Sequence, residues 1–318
     1  MKILKLKVLF FKRKHIYYFV FILVLIVFCA FSIISNGKSS YITFNTDSNK
    51  KTFKTDLTGD GKDDTLYILT NKDKYHIQVT TEKDNLNLQP NKALETLGSY
   101  YSHWPIRVKL LDVSRDKIPE IFVQSSQSNV SLQHIFVYKD NKFKDIFCSY
   151  NNILGFIDHS NNKTPKILSG KLYGGEFNFE NYIIIDNKLE KYNGNIKDTF
   201  MGKDSISTFI NIITSLNGSY TQTNENIFHS NIDTTSLDML PHLAGYANNY
   251  VFQDAIFMDT RCDKSGEPTN IQWILNFRGT PTDSNKELKN YTLKVNLCRC
   301  KNCIDKYYFK ILSIQLIK

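Results

Sequence analysis

The sequence predicts a mainly β protein with a C-terminal α+β domain, preceded by an N-terminal transmembrane helix. Three observations lead to this fold class: a 19-residue run without charge near the N-terminus, three polar turns that each precede alternating apolar residues, and one helical pattern followed by four strand patterns. The 18 Tyr and 22 Phe residues suit half-buried strands better than a helical bundle. With 318 residues the chain is long enough for two domains besides the N-terminal helix.

The formal net charge of +9 is concentrated at the N-terminus. Six of the 40 basic residues lie within residues 1–15, which contain no acid. Residues 16–318 therefore carry 34 basic against 31 acidic residues, a net charge of +3. This near balance excludes the broad basic surface that nucleic-acid binding requires, so no nucleic-acid partner is expected.

Residues 16–34 read IYYFVFILVLIVFCAFSII and predict a single-pass membrane anchor. Nineteen helical residues span roughly 30 Å, the thickness of a bilayer core. The basic tail, residues 1–15, precedes this run, so the N-terminus is expected in the cytoplasm and the body outside, after a polar linker at residues 35–50. A cleaved signal peptide is the alternative, but its best cleavage site, residues 30–32, lies inside the apolar run.

Residues 56–64 read DLTGDGKDD and have the spacing of a calcium loop. Side-chain oxygens fall at positions 1, 3, 5 and 9, while Gly59 and Gly61 permit a tight backbone. No Glu stands at position 12 as in an EF-hand, and residues 65–70 alternate like a strand. The predicted calcium ligands are Asp56, Thr58, Asp60, the carbonyl of Lys62, and Asp64.

This D-x-T-G-D-G-x-x-D pattern, followed by a strand, resembles the calcium loop of FG-GAP/VCBS-type repeats, the blades of integrin-like β-propellers. Further copies begin at residue 112, which is 56 residues along, and at residue 158, another 46 residues along. The resemblance implies propeller-blade-like antiparallel β repeats over residues 51–197, with structural calcium. The second set of predicted calcium ligands is Asp112, Ser114, Asp116 and Glu120.

Ordinary Asp/Asn/Gly turns are the alternative interpretation of these loops. It is favoured for the third copy, where Lys166 replaces the final acid and would repel a cation. Closed propellers need at least about four blades. Three repeats therefore imply an open arrangement, completion by a partner molecule, or a further blade that has diverged.

Residues 198–318 predict the α+β domain. Asp204 has the character of an N-cap for a helix over residues 205–216, and four strands are expected near residues 250–260, 270–278, 290–299 and 306–317. A helix followed by a four-strand antiparallel meander resembles cystatin-like or nuclear-transport-factor-like folds. That resemblance is architectural and implies no activity.

Four cysteines fall at the first and third turns of this meander, which lie at the same end of an up-and-down sheet. Two disulfides are the first expectation outside a cell. A zinc site is the second, because two of the cysteines are spaced C-x-x-C, and free thiols are the third. The residues concerned are Cys262, Cys298, Cys300 and Cys303.

No catalytic fingerprint is present in the sequence, and the seven histidines are scattered. Folding could still assemble a triad, for example around His229 or His242 with nearby Asp233 or Asp238. The expected function is a membrane-anchored extracytoplasmic binding or scaffolding protein with an unknown protein or polysaccharide partner. The alternative is a surface hydrolase acting on wall or extracellular polymer, and a third possibility is an assembly or sensory component.

Overall fold

The computed structural model describes residues 14, 17, 21–24, 52–158, 164–192, 201–216, 226–283, 287–300 and 306–317. Residues 45–318 form one compact unit, separate from residues 1–44. Most of the expected anchor, residues 16–34, lies outside the described set; residues 17 and 21–24 are helical and exposed. No helix of the described residues combines the length and apolarity needed to cross a bilayer.

The first two sheets are four-stranded antiparallel meanders. In the first, each strand pairs with its neighbour in the chain; its strands are β1 (Thr52–Thr55), β2 (Asp64–Asn71), β3 (Lys74–Thr80) and β4 (Asn85–Asn87). The second has the same order, and its strands are β5 (Arg107–Leu111), β6 (Glu120–Gln127), β7 (Val130–Lys139) and β8 (Lys142–Ser149).

The third sheet has eight strands in the order β12-β11-β10-β9-β13-β14-β15-β16. A third meander supplies β9 (Ile153–Ile157), β10 (Lys166–Tyr173), β11 (Glu176–Ile185) and β12 (Lys188–Lys191). The C-terminal meander supplies β13 (Asn248–Cys262), β14 (Pro268–Pro281), β15 (Lys289–Arg299) and β16 (Phe309–Ile317). β9 and β13 pair in parallel and join the two meanders. The sheet thus contains strands from both sides of the expected boundary at residue 197.

The three N-terminal meanders repeat the same register. The residue before each loop pairs with the first residue of the next strand in all three, as Thr55 with Asp64, Leu111 with Glu120, and Ile157 with Lys166. These positions are separated by the 56 and 46 residues that separate the loops in the sequence. The mainly β, antiparallel prediction is confirmed. Among the described strands, the sheets form no closed barrel or propeller.

The turn between the second and third strands of each meander is also the same. Both of its residues have positive φ, as at Asp73 (60°), Asn129 (63°) and Gly175 (85°). Two consecutive left-handed residues form the hairpin turn that matches the natural twist of paired strands. Asp, Asn and Gly tolerate this conformation best, so local turn chemistry helps to fix the register.

The helices cover one face of the eight-stranded sheet. They are α1 (Lys203–Thr214), α2 (Thr234–Leu237) and α3 (Met239–Gly245). The apolar side of α1 is buried, and Phe257 stacks on Trp273 beneath it with ring centroids 4.1 Å apart. The expectation of an Asp204 N-cap is wrong: Gly202 is the N-cap, because it adopts a left-handed conformation (φ 65°) and places Asp204 in the first turn.

A buried polar cluster joins the second sheet to β13. Asp254 accepts hydrogen bonds from the Arg107 guanidinium (2.8 Å), the Asn276 amide (3.1 Å) and the Trp104 indole. The Asp254 side chain is only 4% exposed. Trp104 and Trp273 are both buried, so these indoles serve packing and hydrogen bonding in the interior.

Candidate metal-binding loops

The loop between β1 and β2, residues 56–64 (loop 1), is built around the Asp56 carboxylate. Asp56 Oδ1 accepts the backbone N–H of Gly59 (2.6 Å), and Oδ2 accepts that of Gly61 (2.8 Å). At the far end of the loop, Asp64 Oδ2 accepts the N–H of Leu57 at 2.8 Å. These bonds hold the chain in a tight turn whose side-chain oxygens come from residues 56, 58, 60 and 64.

The loop between β5 and β6, residues 112–120 (loop 2), repeats this framework position by position. Asp112 Oδ1 accepts the N–H of Arg115 (2.7 Å), and Oδ2 accepts that of Lys117 (3.0 Å). Glu120 Oε2 accepts the N–H of Val113 at 2.8 Å, in the place of Asp64. Asp60 and Asp116 also match, since each accepts the N–H two residues further on.

The two positions that carry glycine in loop 1 keep their conformation in loop 2. Gly59 and Gly61 have φ of 77° and 83°, and their counterparts Arg115 and Lys117 have φ of 67° and 74°. A side chain in this left-handed region costs roughly 1–2 kcal/mol. Glycine is therefore not required for this loop, although the sequence pattern depended on it.

Loop 2 gathers its acids most closely. One oxygen from each of Asp112, Asp116 and Glu120 lies within 4.8 Å of the other two, and no other trio of His, Cys, Asp or Glu in the described part of the chain does so. The three predicted acids of loop 1 are thus less tightly gathered. Loop 1 alone carries the two glycines of the sequence pattern, but the geometry favours loop 2 as a cation site.

Glu120 is the most buried of the three acids of loop 2. It is 3% exposed, and burial raises its pKa above the ordinary value, with the nearby Asp116 carboxylate adding to the effect. No ion pair reaches Glu120, Asp112 or Asp116 from any described residue. Each carboxylate oxygen retains acceptor capacity beyond its backbone hydrogen bond. An oxygen-only, net negative donor set of this kind fits a hard cation such as calcium.

The loops lie next to one another at one end of the sheets. Position 4 of loop 1, Gly59, is packed against Ile118 at position 7 of loop 2, where an added Cβ would lie 2.5 Å from the Ile118 Cδ1 atom. Position 4 of loop 2, Arg115, donates from Nη1 to the Thr164 hydroxyl at 3.2 Å. Thr164 stands at position 7 of the third copy, so positions 4 and 7 of neighbouring loops are in contact in both cases.

The four C-terminal cysteines are only partly covered by the described residues. Cys262 and Cys298 have free thiols and lie at the same end of the sheet, two strands apart, where Cys262 pairs with Pro268 and Cys298 pairs with Asn270 of the strand between them. Strands two apart are separated by about 10 Å, beyond the reach of a disulfide. Cys300 is disulfide-bonded, and Cys303 lies outside the described residues.

A buried His–Asp pair was not predicted. His134 is fully buried, and its Nδ1 lies 2.7 Å from Asp145 Oδ2. Cys148 is the cross-strand neighbour of His134, which places the residue types of a nucleophilic triad close together. However, burial raises the pKa of the Cys148 thiol, Asp145 raises it further, and no hydrogen bond joins the thiol to the imidazole. This environment disfavours a thiolate.

The histidines proposed for a C-terminal triad have other partners. His229 Nδ1 accepts the N–H of Asn231, and His242 Nε2 contacts the Tyr246 hydroxyl at 3.3 Å. Asp233 caps α2 by accepting the N–H of Ser236. Within the described residues of 201–317 no histidine pairs with a carboxylate, and large apolar side chains fill the space between the helices and the sheet.

The end of the sheets opposite the loops carries exposed tyrosines. The N–H of Tyr100 donates to the carbonyl of Asp73, in the hairpin turn of the first meander. Arg278 on β14 donates to Asn129, in the hairpin turn of the second meander, at 3.1 Å. Because Arg278 pairs with Val251, the start of β13 lies at the same end. We call the set of exposed tyrosines at this end of the strands the aromatic end and define it by Tyr100 (48% exposed), Tyr150 (55%), Tyr173 (79%) and Tyr246 (43%).

Comparison with known proteins provides no family for this chain. No family model matches the sequence, and no curated protein matches it. The resemblance of residues 56–64 to a calcium loop therefore stands on the sequence pattern, together with a hydrogen-bond framework that recurs in loop 2.

Proposed function

We propose that this chain is a membrane-anchored extracytoplasmic binding or scaffolding protein whose β repeats are stabilised by structural calcium. The anchor is residues 16–34, and the calcium sites are loops 1 and 2. The observation that carries the proposal is the matched hydrogen-bond framework of the two loops, in which Asp64 and Glu120 are 1% and 3% exposed. FG-GAP/VCBS-type repeats are the family that this arrangement supports best.

Calcium would act on stability rather than on catalysis. Folding brings Asp112, Asp116 and Glu120 together without an ion pair to any described residue, and such a cluster opposes folding. A divalent cation bound only in the folded state reverses this effect and stabilises the protein by mass action. Since loops 1 and 2 touch through Gly59 and Ile118, cation binding would strengthen the row of repeats as a scaffold.

Calcium is expected to raise the melting temperature of the purified full chain by several degrees relative to chelator. A single site contributes about 2.7 kcal/mol when calcium is 100-fold above Kd, and 1 kcal/mol corresponds to about 2–4 °C in a protein of this size. Asp60→Asn is expected to reduce the rise, because it removes one charged ligand of loop 1. The measurement is differential scanning calorimetry in calcium and in EGTA.

The matched control is Asp140→Asn, which removes an exposed aspartate from the turn between β7 and β8. It is expected to leave the calcium response unchanged. Equal melting temperatures in calcium and EGTA for the wild type would reduce both loops to ordinary turns and remove the support for the repeat family.

The aromatic end is the proposed binding surface. Tyrosine presents a large rigid area with a polar tip and is enriched where proteins bind partners. The double variant Tyr150→Ser/Tyr173→Ser is expected to lose retardation in affinity gels that contain a polysaccharide ligand. Ile185→Ser changes an exposed apolar residue near the loops and serves as the control. Retardation that survives the double variant would place the binding surface elsewhere.

A further inference from the structure

The third meander places a lysine where the first two place an acid. Lys166 pairs with Ile157 as Glu120 pairs with Leu111 and Asp64 with Thr55. Lys166 is 7% exposed, so its charge lies inside the protein as the two carboxylates do. A buried ammonium is costly unless its donors are satisfied. The contacts of Lys166 therefore indicate what its charge does at this position.

The ammonium binds the carbonyl at the position that is a predicted metal ligand in loop 1. Lys166 Nζ donates to the carbonyl oxygen of Thr164 at 2.9 Å. Thr164 stands at position 7, the position whose carbonyl, from Lys62, is a predicted calcium ligand in loop 1. Nζ also lies 5.3 Å from the centre of the Tyr192 ring, within the range of a cation–π interaction.

We infer that the Lys166 ammonium is the tethered cation of the third loop and takes the place that calcium holds in loops 1 and 2. The comparison with calcium rests on the proposed function, whereas the contacts of Lys166 do not. A cation supplied by the chain needs no metal from solution. The third meander, which is continuous with the C-terminal sheet, then keeps its fold at any calcium concentration.

Two substitutions of Lys166 test this inference in the full chain. Lys166→Met keeps the length of the side chain and removes the charge, so the melting temperature is expected to fall by several degrees, equally in calcium and in EGTA. Lys166→Glu gives the third loop the same acid that loop 2 has at this position. It is expected to lower the melting temperature in EGTA and to enlarge the calcium-induced rise beyond that of the wild type, because the loop now needs an external cation.

Lys171→Met, an exposed lysine on the same strand, is the control and is expected to melt like the wild type. If Lys166→Glu does not fold in EGTA, refolding upon calcium addition supports the inference. A Lys166→Met protein as stable as Lys171→Met would overturn it, as would a Lys166→Glu protein with no added calcium response. A wild type whose melting temperature does not respond to calcium would refute the proposed calcium sites. If Lys166→Met were still destabilised in that case, the role of the ammonium would remain supported.

Discussion

Glu120→Gln is expected to raise the melting temperature of the chelated protein and to lower it in saturating calcium. Without a cation, Glu120 is a buried carboxylate beside Asp116, and the neutral amide removes that charge while its oxygen still accepts the Val113 N–H. With calcium, the variant lacks a charged ligand. In calcium, the free energy of unfolding is expected to fall by about 2–3 kcal/mol, which is the contribution of one site at 100-fold excess of calcium over Kd.

The same residue predicts a pH dependence in chelator. Its pKa is raised in the folded state, so the folded protein holds this proton more tightly than the unfolded chain does. The contribution of Glu120 to stability is therefore present at acid pH and is lost as pH rises through the folded pKa. Calcium should reverse this slope, because the metal binds the ionised form.

Calorimetry of wild type and Glu120→Gln between pH 4 and pH 8, with calcium or EGTA, measures both effects. Glu176→Gln, at an exposed position of β11, is the control and should follow the wild type. The account would be contradicted if Glu120→Gln lowered the melting temperature in EGTA and left it unchanged in calcium. Glu120 would then act only as a hydrogen-bond acceptor.

Asp254→Ala is expected to destabilise the protein by about 3–5 kcal/mol, independently of calcium. The substitution leaves the Arg107 guanidinium, 15% exposed, without its carboxylate and removes an acceptor from Trp104 and Asn276. Breaking a buried ion pair costs this much because one charge stays buried without a partner. Asp254→Asn is expected to cost less, since its amide oxygen still accepts a hydrogen bond.

Urea unfolding of the variants measures this prediction through the midpoint, provided that the slope is unchanged. Lys191→Ala is the control, because it breaks the exposed pair with Glu180, where a loss below about 1 kcal/mol is expected. A loss for Asp254→Ala no larger than that for Lys191→Ala would show that the polar cluster does not hold the second sheet to β13.

Much of the fold follows from local patterns. Alternation of apolar residues and two-residue turns such as Lys72-Asp73 define hairpins within a few residues, so the order of strands in each meander could be predicted. The parallel pairing of β9 with β13 could not. It joins residues about 100 positions apart, such as Gly155 and Phe257, and depends on tertiary packing, which leaves no local signal in the sequence.

The residues of the candidate site could be predicted from the sequence, but not which loop brings its acids closer together. Spacing alone identified loops 1 and 2, but it does not reveal that the tighter cluster of acids is at Asp112, Asp116 and Glu120. Backbone hydrogen bonds to Asp112 hold Arg115 and Lys117 in conformations that sequence rules assign to glycine. The His134–Asp145 pair was missed because a β-bulge brings together residues from two neighbouring strands.

The most direct test of calcium binding is to count the calcium ions bound by the full chain. Isothermal titration calorimetry of the wild type and of Asp60→Asn, Glu120→Gln and Lys166→Glu gives the stoichiometry. We predict one ion at each of loops 1 and 2 and none at the third, one ion fewer or much weaker binding in each of the first two variants, and an additional ion in Lys166→Glu. A wild type that binds no calcium, or that binds it equally well without Asp60 and Glu120, would contradict the account.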